Sequence, residues 1–424
     1  MALNYVFVGL FVLGFIIALI RTVGYLFRAQ LQDWFNITMT EADLFVFKDI
    51  VDATFNMAEV SLEIVIVLIG VMTFWLGIMK VGEDGGAIQK LSKLVSPLFQ
   101  KLFPELPKNH PAMSAMLMNF SANMLGLDNA ATPFGLKAMD ELQKANQKKE
   151  TASNAMIMFL VLNTSGLTLI PISVMALRSE SASPSEIFLP ILFATFFATL
   201  GGLITVSIYQ KINLLNKTIL AYLGSLTVLI VGLLYYFSSI PQAQVEKISM
   251  VAGNSILVFA IVAFIVLAFR NKVNVYESFI DGAKEGFNIG IKIIPYLVGI
   301  LIAIGVFRAS GAFELIMEGV RIVATLFLED TRFVDALPTA FMKPFSGSGA
   351  RAMMVESIDN FGVDSFQARL SAVFQGSTET TFYTLAVYYG AVNIRKTRYT
   401  VTAGLTADFI GIVAAIIIAY IFFG

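Results

Sequence analysis

Five ionisable residues lie in segments that are otherwise apolar or form tight turns: Glu63, Lys292, Arg351, Glu379 and Asp408. A charged group at membrane depth costs about 3 kcal/mol or more, so each of them is expected to have a partner or a function. Glu379 is the sharpest candidate, because Gly376 allows a helix to open and Ser377, Thr378 and Thr380 offer hydroxyls. A carboxylate paired structurally with a basic residue is the alternative.

Further polar groups interrupt apolar sequence at three other places. Asn163, Thr164 and Ser165 precede Pro171, and Asn, Ser and Thr groups suit Na⁺ or a polar substrate unless they only kink their own helix. The run from residue 119 to residue 129 and the run from residue 346 to residue 351 have a similar character. The predicted substrate-binding residues are Asn119, Ser121, Asn123, Asn129, Asn163, Thr164, Ser165, Ser346, Ser348, Arg351, Ser377, Thr378, Glu379 and Thr380.

Asp128, Glu379 and Asp408 are the candidates for ion coupling. Asp128 is also a preferred type of helix cap, and Asp408 is alternatively a partner for Arg351 or Lys292. Arg351 favours a carboxylate or phosphate if it points into a cavity, and is only an anchor if it extends to the interface. The pair of Glu63 and Lys292 is interpreted as a structural salt bridge.

The composition excludes several classes of protein and of site. Hydrophobic residues make up 57% of the 424 residues and charged residues only 14%, against about 25% in soluble proteins. A net charge of -1 gives no reason to expect nucleic acid as a partner. With no cysteine and one histidine, thiolate sites and histidine-rich metal cages are excluded, and no metal or cofactor is expected beyond Na⁺ as a coupling ion. The hydrolase and nucleotide-binding motifs that we sought are absent, so an enzyme is not predicted.

Nine segments are long and apolar enough to span a bilayer, which takes about 20 residues. They are residues 3–20, 60–79, 151–177, 187–210, 218–245, 248–269, 289–307, 370–394 and 399–423. Residues 85–102 and 314–328 have helical spacing of apolar residues and are predicted to be amphipathic surface helices. Each precedes an interrupted apolar stretch, 111–142 or 337–358, which we interpret as a re-entrant hairpin.

The order of these elements occurs twice. Residues 52–82 align without gaps on residues 281–311, and Ser165 and Thr168 align on Ser377 and Thr380. Each unit has four spans, so the lone span between them inverts the second unit. The sequence therefore predicts an all-α polytopic membrane protein with two inverted-topology repeats, each having spans, a surface helix, a hairpin and a broken helix. The predicted divisions are 1–212, a linking helix over 213–247, and 248–424.

The distribution of basic residues predicts the orientation. With the N-terminus in the cytoplasm, 17 Lys and Arg residues fall inside and 11 outside, in keeping with the positive-inside rule. We therefore expect a multi-pass protein of the cytoplasmic membrane, with lipid as its surroundings. A homo-oligomer is left open.

Four runs of sequence resemble two known families. Residues 118–139 resemble spore maturation protein A, whereas residues 343–353, 376–383 and 403–411 resemble spore maturation protein B. The chain is thus similar to the two proteins fused. Both belong to the nucleoside-recognition or "gate" group, which also includes domains of concentrative nucleoside transporters and of the ferrous iron transporter B. The resemblance implies an inverted-repeat transporter core, in which acidic residues at broken helices hold substrate hydroxyls or a coupling cation.

These observations predict a secondary transporter. Inverted repeats with matched interrupted segments are typical of transporters whose site lies where the broken elements meet. The expected solute is small and polar or anionic, nucleoside-like or a carboxylate, and its movement is coupled to Na⁺ or H⁺ by alternating access. The alternative is a membrane protein that transports nothing and recruits partners for envelope or spore maturation.

Overall fold

The computed structural model describes residues 2–107 and 110–424. Within these ranges it leaves undescribed the side chains of residues 2–6, 64, 65, 67, 68, 128–130, 289, 290, 292, 293, 296 and 297. All regular elements of the described chain are helical, apart from one isolated bridge between Thr151 and Lys396. The protein is an all-α polytopic membrane protein.

The helices occur in two series of the same order, joined by a linking segment. The first series is α1 (Ala2–Leu26), α2 (Arg28–Phe35), α3 (Glu41–Asp84), α4 (Ala87–Leu102), α5 (Pro111–Met124), α6 (Asp128–Ala145), α7 (Asn154–Ser165), α8 (Ile172–Ala176) and α9 (Phe188–Gln210). The linking segment contains α10 (Lys217–Ile219), a π-helical turn (Leu220–Gly224) and α11 (Ser225–Ser238). The second series is α12 (Gln242–Arg270), α13 (Val275–Ala309), α14 (Ala312–Thr325), α15 (Leu337–Met342), α16 (Gly347–Phe361), α17 (Phe366–Ser377), α18 (Thr381–Ala391) and α19 (Thr400–Phe423).

Five helical segments of the described residues are long and apolar enough to cross a membrane. They are Phe7–Leu26, Pro184–Gln210, Lys217–Ser238, Gln242–Arg270 and Thr400–Phe423. A sixth candidate is bent by 71° between Val298–Ala309 and Ala312–Thr325, where the predicted surface helix leaves α13. The predicted spans 60–79 and 289–307 lie within α3 and α13, and several of their side chains are outside the described set.

Two predicted boundaries are wrong. The predicted span 218–245 ends at Ser238, because Pro241 lacks a backbone N–H and disfavours helical geometry in the residue before it. Helix α3 begins at Glu41, well before the predicted start at residue 60. The carboxylate of Asp43 accepts a hydrogen bond from the backbone N–H of Thr40 at 2.8 Å and caps this extension. Charged residues after the cap end the apolar run without ending the helix.

Both predicted hairpins are pairs of helices. The first consists of α5 and α6 with a turn at residues 125–127, and the second of α15 and α16 with a turn at residues 343–346. The two predicted broken spans are also interrupted, at residues 166–171 between α7 and α8 and at residues 378–380 between α17 and α18.

Helices that are equivalent in the two series pack against each other in opposite directions. A Cβ atom on Gly282 would lie 2.4 Å from the carbonyl oxygen of Leu76, and one on Gly305 would lie 2.6 Å from Cγ of Met57. As the residue number rises in α13, that of its neighbour in α3 therefore falls. α9 and α19 are also antiparallel, since Gly201 faces Ile410 and Gly411 faces Ala198. This is the packing that an inverted repeat requires.

Close packing of α3 on α13 makes Gly286→Ala destabilising. Its Cβ would lie 2.5 Å from the carbonyl oxygen of Met72 and 2.9 Å from Cα of Thr73, which are backbone atoms that cannot rotate away. We expect the free energy of unfolding in an SDS titration to fall by about 1–3 kcal/mol.

Gly70→Ala in α3 is the matched control, because nothing lies within 4 Å of its Cβ position. It should raise the free energy of unfolding by about 0.5–1 kcal/mol, since alanine is the better helix former. Equal effects of the two substitutions would contradict this packing.

Candidate functional site

The two broken spans meet at their breaks. α7 ends at Gly166, which has a left-handed backbone (φ 52°), and α17 ends before the extended residue Thr378. The backbone N–H of Glu379 donates a hydrogen bond to the carbonyl oxygen of Thr164 at 2.8 Å. A Cβ on Gly166 would lie 2.9 Å from Cγ of Glu379, so both the backbone angle and the close approach require glycine there.

Each hairpin is tied to the break of its own series by a backbone hydrogen bond. In the first series the N–H of Leu169 donates to the carbonyl oxygen of Met124 at 2.7 Å. In the second, the N–H of Phe382 donates to the carbonyl oxygen of Pro344 at 2.9 Å. Polar backbone groups freed by the breaks are thus paired within the protein, as interrupted helices at membrane depth require.

A cavity of about 400 Å³ lies where these elements converge. Both hairpins and both broken spans contribute to its wall, together with α3 and α13. The lining residues are Met72, Leu76, Lys80, Glu83, Asn123, Gly126, Leu127, Thr168, Ile170, Pro171, Ile172, Ser173, Val174, Glu285, Lys343, Arg351, Gln375, Gly376, Thr378 and Glu379.

Four of the predicted site residues line this cavity: Asn123, Arg351, Thr378 and Glu379. Asn123 donates a hydrogen bond from Nδ2 to Oδ1 of Asn163 at 2.9 Å, and Asn163 donates in turn to the carbonyl oxygen of Phe159. Asn163 therefore holds the side chain of Asn123, a lining residue, in place. The cavity unites elements that are far apart in sequence, since Asn123 and Glu379 come from different series.

The cavity carries both signs of charge. Nζ of Lys80 lies 2.8 Å from Asp84 and 3.4 Å from Glu83, so this lysine is already paired. Arg351 and Glu379 are both partly buried, and neither side chain has a hydrogen bond or an ion pair with another residue that the structure describes. A solute in the cavity would therefore meet one unpaired guanidinium and one unpaired carboxylate.

Several other predicted site residues lie outside the cavity lining and have buried partners. Asn119 donates to the carbonyl oxygen of Ala131 at 2.8 Å and to the hydroxyl of Tyr388 at 3.3 Å. Ser121 accepts a hydrogen bond from Ser92 at 3.0 Å. These bonds hold α5 against α6, α18 and α4.

The remaining hydroxyl groups bond within their own helices or turns. Three of them donate to backbone carbonyls three residues earlier in their helices: Thr164, Ser165 and Ser377. Ser346 caps α16 by accepting from the N–H of Gly349 at 3.0 Å, and it lies 3.2 Å from the hydroxyl of Ser348. Thr380 is buried before α18, where a Cβ on Gly347 would meet its Oγ1 at 2.9 Å.

Asp408 lies in α19 behind the second break and does not line the cavity. It is only 3% exposed, and its Oδ2 accepts a hydrogen bond from the hydroxyl of Thr381 at 2.7 Å. Thr381 is the first residue of α18, so this carboxylate is bonded to the segment that resumes after the break. The side chains of Asp128, Asn129 and Lys292 lie outside the described residues, as does the predicted pair of Glu63 with Lys292.

The lining also includes residues that were not predicted from the sequence, among them Gln375, Lys80, Glu83, Glu285, Lys343 and Thr168. The position of Gln375 directly before Gly376 and the second break was a usable signal for it. Lys80 and Glu83 follow an apolar span, where charged residues are common. Their position at the cavity is therefore evident only from the tertiary structure. Among the described residues, no group of three or more His, Asp or Glu side chains could hold a metal ion.

Both series of helices match a known family. The family model described as "Gate: Nucleoside recognition" matches residues 65–180 and 290–395. The chain is 48% identical over 153 residues to spore maturation protein B of Bacillus subtilis, covering 36% of this chain and 84% of that protein. It is 42% identical over 159 residues to spore maturation protein A of the same organism, covering 37% of this chain and 81% of that protein. Neither relative is named as an enzyme, and no solved structure matches.

A buried charge cluster joins the two series away from the cavity. Arg178, which is fully buried, and Arg369 both contact Glu186 at 2.7 Å. Arg178 also donates to the carbonyl oxygen of Val363 at 2.6 Å and lies 3.3 Å from Asp364. Burial alone would raise the pKa of Asp364. Hydrogen bonds from the Ser181 hydroxyl and a backbone N–H, with the nearby arginines, hold that pKa below its ordinary value.

We expect Glu186→Gln to destabilise the protein, because it leaves Arg178 buried with its main counter-charge removed. The free energy of unfolding in an SDS titration should fall by about 3–5 kcal/mol. Asp52→Asn removes the partner of Lys48 in an exposed pair and is the matched control, which should leave stability unchanged within error. A loss from Glu186→Gln no larger than that of the control would show that the cluster does not hold the two series together.

Proposed function

Because the chain belongs to the Gate (nucleoside recognition) family and carries the domain twice, we propose that it is a secondary transporter of a small polar or anionic solute. The observation that carries the proposal is the convergence of two hairpins and two broken spans on one cavity of about 400 Å³. A binding site at the junction of broken elements from two inverted repeats is the arrangement typical of secondary transporters.

In the proposed mechanism the solute binds between the hairpin tips and the two breaks. Asn123, Arg351, Thr378 and Glu379 supply amide, guanidinium, hydroxyl and carboxylate groups there. Alternating access would move one series of helices against the other around this site. The backbone link between each hairpin and the break of its own series would let those two elements move together.

Coupling to Na⁺ or H⁺ would use acidic residues next to the breaks. Glu379 lines the cavity, and Asp408 accepts a hydrogen bond from Thr381 at the start of α18. Binding of a cation or proton at either carboxylate would change the bonds that hold the second break. Asp128, at the start of α6, remains a third candidate on sequence grounds.

The solute classes favoured by the sequence are nucleosides and carboxylates. The family description favours a nucleoside, and the guanidinium of Arg351 favours a solute with an anionic group. We further propose that the protein lies in the cytoplasmic membrane with its N-terminus in the cytoplasm, because 17 of its basic residues then fall inside.

A second candidate function is recruitment of partners for envelope or spore maturation. Two observations favour it: the names of the two relatives, and the exposed lysines Lys90, Lys93 and Lys101 on α4. This hypothesis requires α4 to be essential and the cavity carboxylates to be dispensable.

Reconstitution into liposomes tests the transport proposal. With an inward Na⁺ or pH gradient, a panel of radiolabelled nucleosides, carboxylates and amino acids should include a solute that accumulates. Glu379→Gln should lower this gradient-dependent flux by about tenfold or more, because it removes the charge with which residue 379 would bind the solute or the coupling cation.

Glu277→Gln, at an exposed position in α13, is the matched control and should keep wild-type flux. Unaltered flux in Glu379→Gln would remove that residue from the mechanism. Recruitment would be favoured by two results together. No solute shows gradient-dependent flux, and a variant with the three α4 lysines replaced by Gln fails to restore envelope or spore maturation in cells that lack the protein.

A further inference from the structure

Gln375 is a buried amide that faces the cavity without a partner. It is 3% exposed, lines the cavity, and its Oε1 atom has no hydrogen-bond partner among the described residues. A buried amide oxygen that accepts no hydrogen bond costs free energy. A polar ligand in the cavity would remove that cost.

Arg351 presents a second unsatisfied group to the same cavity. Its Nε atom is buried without a hydrogen-bond partner, and its guanidinium makes no ion pair with a described residue. A guanidinium on a cavity wall is suited to bidentate binding of a planar carboxylate. One anionic group of the ligand is therefore expected at Arg351.

Glu379 presents the opposite charge. It lines the cavity from the second break and has no ion pair with a described residue. The two charges thus face one space without neutralising each other. Lys80 is paired with Asp84 and Glu83, and Glu285 and Lys343 also have interactions with other groups. Among the described lining residues, Arg351 and Glu379 are therefore the charges left for a ligand.

The lining has no aromatic side chain among the described residues. None of the described lining residues is Phe, Tyr, Trp or His, so none of these side chains offers an aromatic face on which a base could stack. The apolar part of the wall consists of aliphatic side chains, including Met72, Leu76, Leu127, Ile170 and Val174. Such a wall suits a small aliphatic side chain.

We propose that the cavity binds a zwitterion of the amino-acid class, with the ligand carboxylate at Arg351, its ammonium group at Glu379, and a hydrogen bond to Gln375. This inference rests on the proposed function and specifies its solute. A volume of about 400 Å³ is at the small end of small-molecule sites, which span about 300–1,000 Å³, and is adequate for one amino acid or a dipeptide.

Blocking one end of the ligand at a time tests the assignment. The purified full chain is screened by thermal shift against the α-amino acids, uridine and succinate. The affinity of the best amino acid is then compared with those of its N-acetyl and C-amide derivatives by titration calorimetry. Either modification should weaken binding to the wild-type protein by about 10- to 100-fold, the range of a charge-assisted hydrogen bond.

Two charge-removing variants should abolish that discrimination selectively. In Glu379→Gln, the affinities of the amino acid and its N-acetyl derivative should differ by less than about threefold, and in Arg351→Gln the same should hold for the C-amide. Glu277→Gln and Arg395→Gln, at exposed positions, are the controls and should keep the full wild-type ratios.

Gln375→Leu gives an opposite pair of effects that a structural role would not produce. It removes the unsatisfied amide, so the melting temperature without ligand should rise, while the affinity for the amino acid should fall about tenfold. Gln244→Leu, on the exposed face of α12, should leave the affinity unchanged.

The outcomes separate this inference from the transport proposal. Binding of uridine or succinate without any amino acid, no binding by the whole panel, or discrimination that survives in both charge variants would overturn the zwitterion assignment. Accumulation of another solute in liposomes would then leave the transport proposal standing. Amino-acid binding with the predicted ratios but without flux would support the zwitterion assignment and contradict the transport proposal.

Discussion

The hydrogen bond from the Glu379 N–H to the Thr164 carbonyl oxygen is the interaction on which the centre of the protein depends. A helix interrupted at membrane depth frees backbone groups that lipid cannot satisfy. Here the two interruptions satisfy each other, and this requires a left-handed glycine at residue 166. The hairpins complete the arrangement through their own backbone bonds, so the polar wall of the cavity follows from how the main chain is paired.

The sequence was sufficient for the class of fold and for the positions of the interruptions. Apolar runs predict helices, and Gly, Asn, Ser and Pro within them predict breaks, because these are local properties of the chain. Recurrence of the same order of elements predicted two inverted repeats, and the antiparallel packing of α3 on α13 is the arrangement that such repeats require. The boundaries at Glu41 and Ser238 were not predicted, since a count of apolar residues registers neither a helix that continues through charged sequence nor a break at one proline.

The site was only partly predictable. Asn123, Arg351, Thr378 and Glu379 stand out as polar groups near interruptions, and all four line the cavity. Ser121 and Asn119 have the same local appearance, but their side chains face neighbouring helices. Which way a polar side chain faces depends on tertiary packing, and spacing along the chain does not contain that information. Gln375 was overlooked because α17 contains two amides, and local sequence does not show that Gln375 rather than Gln367 faces the cavity.

The linking helices α10 and α11 have a consequence for assembly. A covalent connection holds the two series at a fixed ratio of one to one and makes their association intramolecular. Antiparallel pairing of like helices is the geometry by which two identical subunits also associate. In a linked chain, pairing of the two different halves therefore competes with pairing of two identical halves. The asymmetric wall, which has Arg351, Gln375 and Glu379 from the second half, is thus formed in every molecule.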